Sequence, residues 1–217
     1  MRTQLAVGLF LSLISMSAAT ARDWSGPYIG AHIGYAWGEA SNTWRSPGAG
    51  FIDWQPDGDI AYDSAFGGGY LGYLAQFGAF VIGVEADISR TSLKGDDSQF
   101  AGLVNAIELN YVGTLRARAG LAHGNSLFYA TAGYAYSDYD KKDRTLGWSD
   151  SENLSGWTVG AGIEHAFWGK WSGRLEYQYI DLGSAESNLT DGLGAYYHHR
   201  ATNIEVQSVR AGIAYGF

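Results

Sequence analysis

The sequence has no cysteine, only three prolines and an excess of acidic side chains. Without cysteine there is no disulfide framework, which excludes the small disulfide-stapled folds of exported proteins. Lys and Arg number 14 against 22 Asp and Glu, which gives a formal net charge of −8. Because nucleic-acid-binding proteins present basic surfaces, we expect no nucleic acid among the partners.

Long apolar runs are also scarce, and the clearest one lies at the N-terminus. The run "LAVGLFLSLI" follows Arg2 and precedes the small residues "ATA" at 19–21. About 10 apolar residues are too few to span a bilayer as a helix. A basic start, a short apolar region and a small-residue cleavage site are typical of a signal peptide. We predict that residues 1–21 are a signal peptide that is removed and that residues 22–217 form the folded domain.

Glycine and aromatic residues are abundant instead, and apolar and polar residues alternate with a period of two. The chain has 31 glycines, 15 tyrosines and 8 tryptophans, a composition typical of membrane barrels. The alternation predicts eight strands, each close to the length that a tilted membrane strand needs. These strands cover residues 26–37, 66–77, 80–90, 109–121, 127–138, 156–167, 172–182 and 204–217.

The predicted connections alternate in length along the chain. Those at 78–79, 122–126 and 168–171 are short, whereas those covering 38–65, 91–108, 139–155 and 183–203 are long and polar. Short turns at one end and long loops at the other are the pattern of outer-membrane barrels. We therefore predict an all-β fold, an eight-stranded antiparallel up-and-down transmembrane β-barrel, with both termini at the short-turn, periplasmic end.

The charged residues of the strands fall almost entirely on one face. In the segment "GTLRARAGL" at 113–121, Arg116 and Arg118 alternate with Leu115, Ala117 and Ala119. A soluble barrel would need apolar residues inside and charges outside, and alternation alone does not distinguish the two arrangements. The aromatic residues of the apolar face favour a membrane barrel, because they form two girdles that flank an aliphatic band. The predicted girdles are Phe77, Phe80, Phe128, Phe167 and Phe217 at the short-turn end, and Tyr35, Trp37, Tyr111, Tyr136 and Trp157 at the long-loop end.

The charged face then points into the lumen, where we predict a charge-balanced polar network. Four acids and four bases share this parity, namely Glu85, Asp87, Glu164, Glu176, Arg116, Arg118, Arg174 and Arg210. Strand adjacency places Glu85 and Asp87 beside Arg116 and Arg118, and Glu176 beside Arg210, while His32 and Tyr70 share the inward parity. Unpaired buried charge is costly, so we expect these groups to pair and to plug the barrel. The alternative is a narrow path for ions or small solutes.

Other groups of residues give weaker indications of a binding or catalytic site. In "AYYHHR" at 195–200, His198 and His199 in the fourth long loop could ligate haem, which leaves ligand capture by the loops as a second alternative. The acidic segment at 53–63 lacks the spacing of a calcium loop, so we predict no metal site and no cofactor. His123 and His165 show no third orienting group, so we predict no catalytic residues and no enzyme activity.

Five segments together resemble a known family. They are "WSGPYIGAHIGYAWG", "FGGGYLGYLAQFGAFVIGVEADIS", "NYVGTLRARAGLAHGNSLFYATAGYAY", "WTVGAGIEHAFWGKWSGRLEYQYIDLG" and "VRAGIAYGF". They are similar to the small outer-membrane β-barrel proteins of alphaproteobacteria, the porin-like surface antigens of the rhizobia and their relatives. The resemblance covers all eight predicted strands and none of the long loops.

The resemblance implies an abundant protein of the Gram-negative outer membrane with roles in cell-envelope integrity and surface recognition. Some family members are described as haem-binding or porin-like. Phe217 is similar to the terminal signal read by the barrel-assembly machinery, so the expected partners are that machinery, outer-membrane lipid and a host or environmental ligand at the loops. The sequence departs from the family in two places. The inward Leu74 stands where the family often has a polar residue, which makes an open aqueous path less expected. The predicted mature start is Arg22-Asp23, whereas relatives attached to peptidoglycan start with Ala-Asp.

Overall fold

A computed structural model describes the backbone of residues 22–45, 55–97, 105–143, 148–190 and 197–217, and side chains within 22–38, 63–90, 111–137, 154–183 and 204–217. Eight long strands make up almost all of this described part of the chain. They are β1 (Gly26–Arg45), β2 (Gln55–Phe77), β3 (Phe80–Asp97), β4 (Asn105–His123), β5 (Ser126–Asp143), β6 (Trp148–Trp168), β7 (Trp171–Thr190) and β8 (Tyr197–Gly216).

The strands form one closed antiparallel barrel. Each strand pairs with its sequence neighbours, and β1 pairs with β8 to complete the cylinder. Closure leaves no sheet edge unpaired, which an outer-membrane barrel requires because lipid offers no hydrogen bonds to free backbone groups. Among the described residues no helix is long and apolar enough to cross a membrane. The predicted fold class is confirmed.

Three two-residue turns connect the strands at one end of the barrel. They join β2 to β3, β4 to β5 and β6 to β7, and each begins with a glycine at positive φ: Gly78 at 65°, Gly124 at 58° and Gly169 at 53°. Glycine adopts this backbone conformation without the steric cost that other residues meet, so these positions set the tight reversals. At this end each observed strand boundary lies within two residues of the predicted one.

At the opposite end the strands are longer than the sequence predicts. β1 continues to Arg45 instead of residue 37, and β6 begins at Trp148 instead of residue 156. Much of the sequence predicted as four long loops is therefore paired strand. The prediction ended each strand where its apolar face ended, but a ladder of backbone hydrogen bonds needs no apolar face once it leaves the lipid. The residues outside the described ranges at this end are 46–54, 98–104, 144–147 and 191–196.

The side chains sort into an apolar outer wall and a filled interior. On β3, Ile82 and Val84 are 52% and 57% exposed, whereas Glu85 is 1% exposed. All ten aromatic residues of the predicted girdles lie on the outer wall, with exposures from 36% for Trp37 to 66% for Phe80. The apolar residues thus face the membrane, the reverse of a soluble barrel.

The interior contains two apolar clusters with polar residues between them. The lower cluster, near the two-residue turns, comprises Trp24, Tyr28, Tyr70, Leu74, Val81, Ala122, Leu127, Tyr129, Ala166 and Ala214. The upper cluster, toward the extended strand ends, comprises Ala36, Ala135, Leu154, Ile180, Leu182, Ile204 and Val206, with Phe66 and Val112 packed against it. The charged residues of β3, β4 and β7 lie between these two levels.

Candidate functional site in the barrel lumen

The eight charged side chains predicted to face inward all lie buried in the lumen. None is more than 8% exposed; they are Glu85, Asp87, Arg116, Arg118, Glu164, Arg174, Glu176 and Arg210. They face inward because successive side chains of a strand point to opposite faces, and each of the eight occupies an inward-facing position of β3, β4, β6, β7 or β8. The four acids and four bases form one connected set, called here the lumen network.

Glu85 on β3 receives hydrogen bonds from three different strands. The register pairs it with Arg116 on β4, and Nη2 of that arginine donates to Oε1. Its second oxygen, Oε2, accepts from Arg174 Nη1 on β7 at 2.5 Å and from Tyr28 Oη on β1 at 2.8 Å. The adjacency of Glu85 and Arg116 is readable from the sequence, whereas the contact with β7 crosses the lumen.

Glu176 on β7 forms a second centre of the network. Its register partner Arg210 on β8 donates to Oε1 through Nε at 3.1 Å and also through Nη2. Arg116 Nη1 donates to the same oxygen at 2.5 Å, and Tyr129 Oη donates to Oε2 at 2.7 Å. Arg116 therefore connects Glu85 to Glu176, and with them two strands on opposite sides of the barrel.

The third acid, Glu164 on β6, is paired by register with Arg174 but hydrogen-bonds elsewhere. Its carboxylate accepts from Arg118 Nη2 at 2.5 Å and from Ser172 Oγ at 2.5 Å. Asp87 completes the set: it accepts from Thr114 Oγ1, and its carboxylate oxygens lie 3.1 Å from Arg116 and 3.4 Å from Arg210. Buried ion pairs are tolerated when hydrogen bonds from other groups satisfy the remaining lone pairs, as here.

The guanidinium groups of two arginines lie against tyrosine rings, which partly replace hydrogen-bond acceptors. Arg118 Cζ lies 3.6 Å from the ring centroid of Tyr129, and Arg174 Cζ lies 3.5 Å from that of Tyr70. A guanidinium over an aromatic face is attracted by the ring quadrupole. Nε of Arg118 and of Arg174 has no hydrogen-bond partner among the described residues. Sequence reasoning placed Tyr70 inward but overlooked Tyr28 and Tyr129, which share the inward parity of their strands.

Glycines on the inward face provide the space that these long side chains occupy. A Cβ on Gly162 would lie 2.7 Å from Tyr129 Oη and 2.6 Å from the backbone oxygen of Leu175. A Cβ on Gly212 would lie 3.2 Å from Tyr70 Oη and 3.3 Å from Arg174 Cγ. An eight-stranded barrel is only wide enough for its own side chains, so small residues opposite large ones are needed to fit four arginines.

Two serine–histidine contacts occur, and neither has the third group of a catalytic triad within the described residues. His32 Nε2 lies 2.8 Å from Ser89 Oγ inside the barrel, where the imidazole stacks on Tyr70 and its Nδ1 has no hydrogen-bond partner in the described part of the chain. His165 Nδ1 lies 2.9 Å from Ser126 Oγ on the outer wall.

A small cavity of about 30 Å³ above the network is lined by Ser89, Asp87 and eight other residues.

The histidines proposed as loop ligands lie in a strand. His198 and His199 belong to β8, where their backbones pair with Leu189 and Asn188 of β7, so their assignment to a loop is wrong. Their side chains lie outside the described residues, and ligation by them stays a prediction. Among the described side chains, no group of three or more His, Asp or Glu residues could hold a metal ion.

The closed barrel with an apolar outer wall and a polar interior defines an outer-membrane protein, and comparison with known proteins agrees. The family described as outer membrane protein beta-barrel domain matches residues 6–217, so the chain belongs to that family. The 31 kDa outer-membrane immunogenic protein of Brucella melitensis is 34% identical over 209 residues, which cover 89% of this chain and 84% of the relative. The 22 kDa outer membrane protein of Rhizobium leguminosarum bv. viciae is 36% identical over 146 residues, 67% of this chain and 66% of the relative.

Among solved structures, the outer membrane protein OprG from Pseudomonas aeruginosa superposes with a TM-score of 0.62. The alignment covers 89% of this chain and 97% of OprG at 13% sequence identity, a likeness that shows the fold alone. The resemblance to alphaproteobacterial outer-membrane proteins and the outer-membrane location are thus both confirmed.

Proposed function

We propose that the protein is a structural component of the outer membrane, a closed barrel that contributes to envelope integrity and displays its extended strand ends at the cell surface. The lumen network carries this proposal. Ion pairs run across the lumen, with Arg174 on β7 bound to Glu85 on β3 and Arg116 on β4 bound to Glu176 on β7. Pairs of this kind fill the section that an open channel would need to leave free.

The energetics of the network support closure. An ion entering the lumen would have to separate buried pairs such as Arg118–Glu164, and removing one partner of such a pair costs about 3–5 kcal/mol. The side chains of the upper apolar cluster are hydrocarbon and offer an ion no compensating ligands. A narrow pore for small solutes is therefore the less favoured function.

The outward end of the barrel supports a surface role. The strands continue past the upper aromatic girdle, so that β1 extends eight residues beyond Trp37 to Arg45. Relatives of the chain in Brucella are named outer-membrane immunogenic proteins, which indicates surface display in those bacteria. We propose the same display here, with outer-membrane lipid and the barrel-assembly machinery as partners and with no catalytic role.

Deletion of the gene in the bacterium that encodes it tests the envelope role. We expect the deletion strain to become sensitive to detergent and to large antibiotics, and a plasmid copy of the wild-type chain to restore resistance. A deletion strain with an intact permeability barrier that has lost uptake of a particular small solute would instead indicate transport.

A further inference from the structure

A short segment ahead of β1 crosses the mouth of the barrel at the short-turn end, which faces the periplasm in outer-membrane barrels. This segment, residues 22–25, is called here the N-terminal strap. The fold does not need it for closure, because β1 begins at Gly26 and pairs with β2 and β8 from there on. Its contacts nevertheless reach two of the two-residue turns directly and the third through Gln76 of β2.

Arg22 connects the strap to two of these turns. Its backbone N donates to the carbonyl of Gly124, in the β4–β5 turn, at 3.3 Å. Its guanidinium donates to the carbonyls of Lys170 at 3.2 Å and Trp171 at 3.3 Å, at the β6–β7 turn. The guanidinium carbon also lies 4.8 Å from the ring centroid of Trp24.

The other half of the strap is fixed to the β2–β3 turn through Gln76. The backbone N of Trp24 donates to Gln76 Oε1 at 2.8 Å, and the backbone N of Gln76 donates to Ser25 Oγ at 3.1 Å. Gln76 Nε2 in turn donates to the carbonyl of Gly78 at 2.8 Å. Within the strap, the backbone N of Ser25 donates to Asp23 Oδ1 at 2.9 Å, and hydrogen bonding by Ser25 lowers the pKa of the Asp23 carboxyl.

Trp24 is the part of the strap that enters the barrel. Its side chain is only 6% exposed and belongs to the lower apolar cluster. Behind the strap lies a cavity of about 190 Å³, with Ala214, Ser172 and Glu164 in its wall. Glu164 also binds Arg118, so one wall of this cavity belongs to the lumen network.

We infer that the N-terminal strap is a lid on the periplasmic mouth of the barrel, a second closure in addition to the lumen network. The lid consists of one buried indole and a few hydrogen bonds at the turns, whereas the lumen network consists of paired charges on five strands. The lid therefore opens more readily than the network, and its opening exposes the cavity and Glu164 to the periplasm without opening the lumen.

The absence of cysteine makes this inference testable with a single introduced thiol. Ala214, 3% exposed and lining the cavity behind the strap, is replaced by cysteine in the refolded protein, which then reacts with a water-soluble maleimide. We expect labelling to accelerate at least about tenfold when residues 22–25 are deleted, because a local structure that must open first limits the reaction. The matched control is Ser155→Cys, an exposed position of β6 toward the opposite end of the barrel, whose labelling rate should be the same with and without the strap.

A second variant covers the case in which the deletion impairs folding. Gln76→Ala keeps the chain length and removes a side-chain contact of the strap, so it should also accelerate labelling of Ala214→Cys. The slower migration of heat-denatured than of folded barrel on gels identifies the folded fraction in each sample. Equal labelling rates with and without the strap, or with and without Gln76→Ala in folded protein, would overturn the inference.

Discussion

Arg116 on β4 contacts two carboxylates that lie on opposite sides of the lumen. Its Nη2 binds Glu85 on the neighbouring strand β3, and its Nη1 lies 2.5 Å from Glu176 Oε1 on β7, three strands away. One planar guanidinium can bind both because its donors diverge in fixed directions. The interior of the barrel is thereby connected across its width, and most of the expected consequences of substitution follow from this connection.

Glu85→Gln should destabilise the barrel strongly. The substitution keeps the shape of the side chain but removes the negative charge that Arg116, Arg118 and Arg174 share. Leaving buried charge unpaired costs about 3–5 kcal/mol, so we expect a loss of that size in the free energy of unfolding, measured by urea titration of barrels folded into lipid vesicles. The control Lys170→Gln removes an exposed charge from a turn and should change stability by less than about 0.5 kcal/mol. Equal stabilities of the two variants would show that the Glu85 carboxylate is not needed to pair the buried arginines.

Arg118 and Glu164 should be energetically coupled. They lie 2.5 Å apart, both buried, in a contact that crosses the lumen from β4 to β6. In a double-mutant cycle with Arg118→Gln and Glu164→Gln, the double variant should be more stable than the sum of the single effects predicts, by about 0.5–3 kcal/mol. The exposed pair Tyr177–Gln207 offers a control cycle in which a smaller coupling is expected. Additive effects of the two buried substitutions would contradict the pairing.

Gly162→Ala should destabilise the barrel by crowding Tyr129. The new methyl group would meet the tyrosine hydroxyl that donates to Glu176, and overpacking of this kind costs about 1–3 kcal/mol. Gly113→Ala is the matched control, since a Cβ there lies 3.8 Å from the nearest atom, the carbonyl oxygen of Asp87. Urea titration of the two variants checks the difference, and a fully tolerated Gly162→Ala would mean that the interior is looser than described.

Leu115→Arg tests which face of the wall meets lipid. Leu115 precedes the buried Arg116 and is 62% exposed on the outer wall. An arginine at the bilayer midplane costs about 2–4 kcal/mol, so we expect a loss of that size in vesicles. The same substitution at Asn125, in a turn outside the lipid, should have little effect. Comparable stability of both variants in vesicles would contradict the assignment of this face.

The sequence predicts much of this architecture because apolar and polar side chains alternate with a period of two along every strand. Alternation identifies the buried member of each pair of neighbours, such as Arg116 beside Leu115, and strand order makes Glu85 a neighbour of Arg116. The glycines of the two-residue turns mark the strand boundaries at that end closely, since a reversal with positive φ has a strong local signal.

Contacts across the lumen are not readable in the same way. Glu164 and Arg174 face each other in register on adjacent strands, yet Glu164 binds Arg118 and Arg174 binds Glu85. Parity identifies the face of a residue but not its height or its partner on a distant strand, which depend on strand tilt and stagger. The strap escaped prediction for a related reason, because its four residues have no periodicity and are held by turns that are distant in sequence.

The extended strand ends could not be predicted either, because the hydrophobic pattern reports lipid contact and not hydrogen bonding. Beyond Trp37 the segment "GEASNTWR" is mostly polar, while the backbone ladder of β1 with β8 continues to Arg45 and His199. A polar, alternating segment in water is compatible with both strand and loop.

Planar-bilayer conductance of the refolded protein tests the closed lumen most directly. We expect no steady single-channel steps, either for the chain from residue 22 or for the chain from residue 26 that lacks the strap, because the lumen network closes the barrel in both. Discrete steps from the chain that begins at residue 22, with a size that follows the ionic strength, would contradict a closed lumen and would favour a pore.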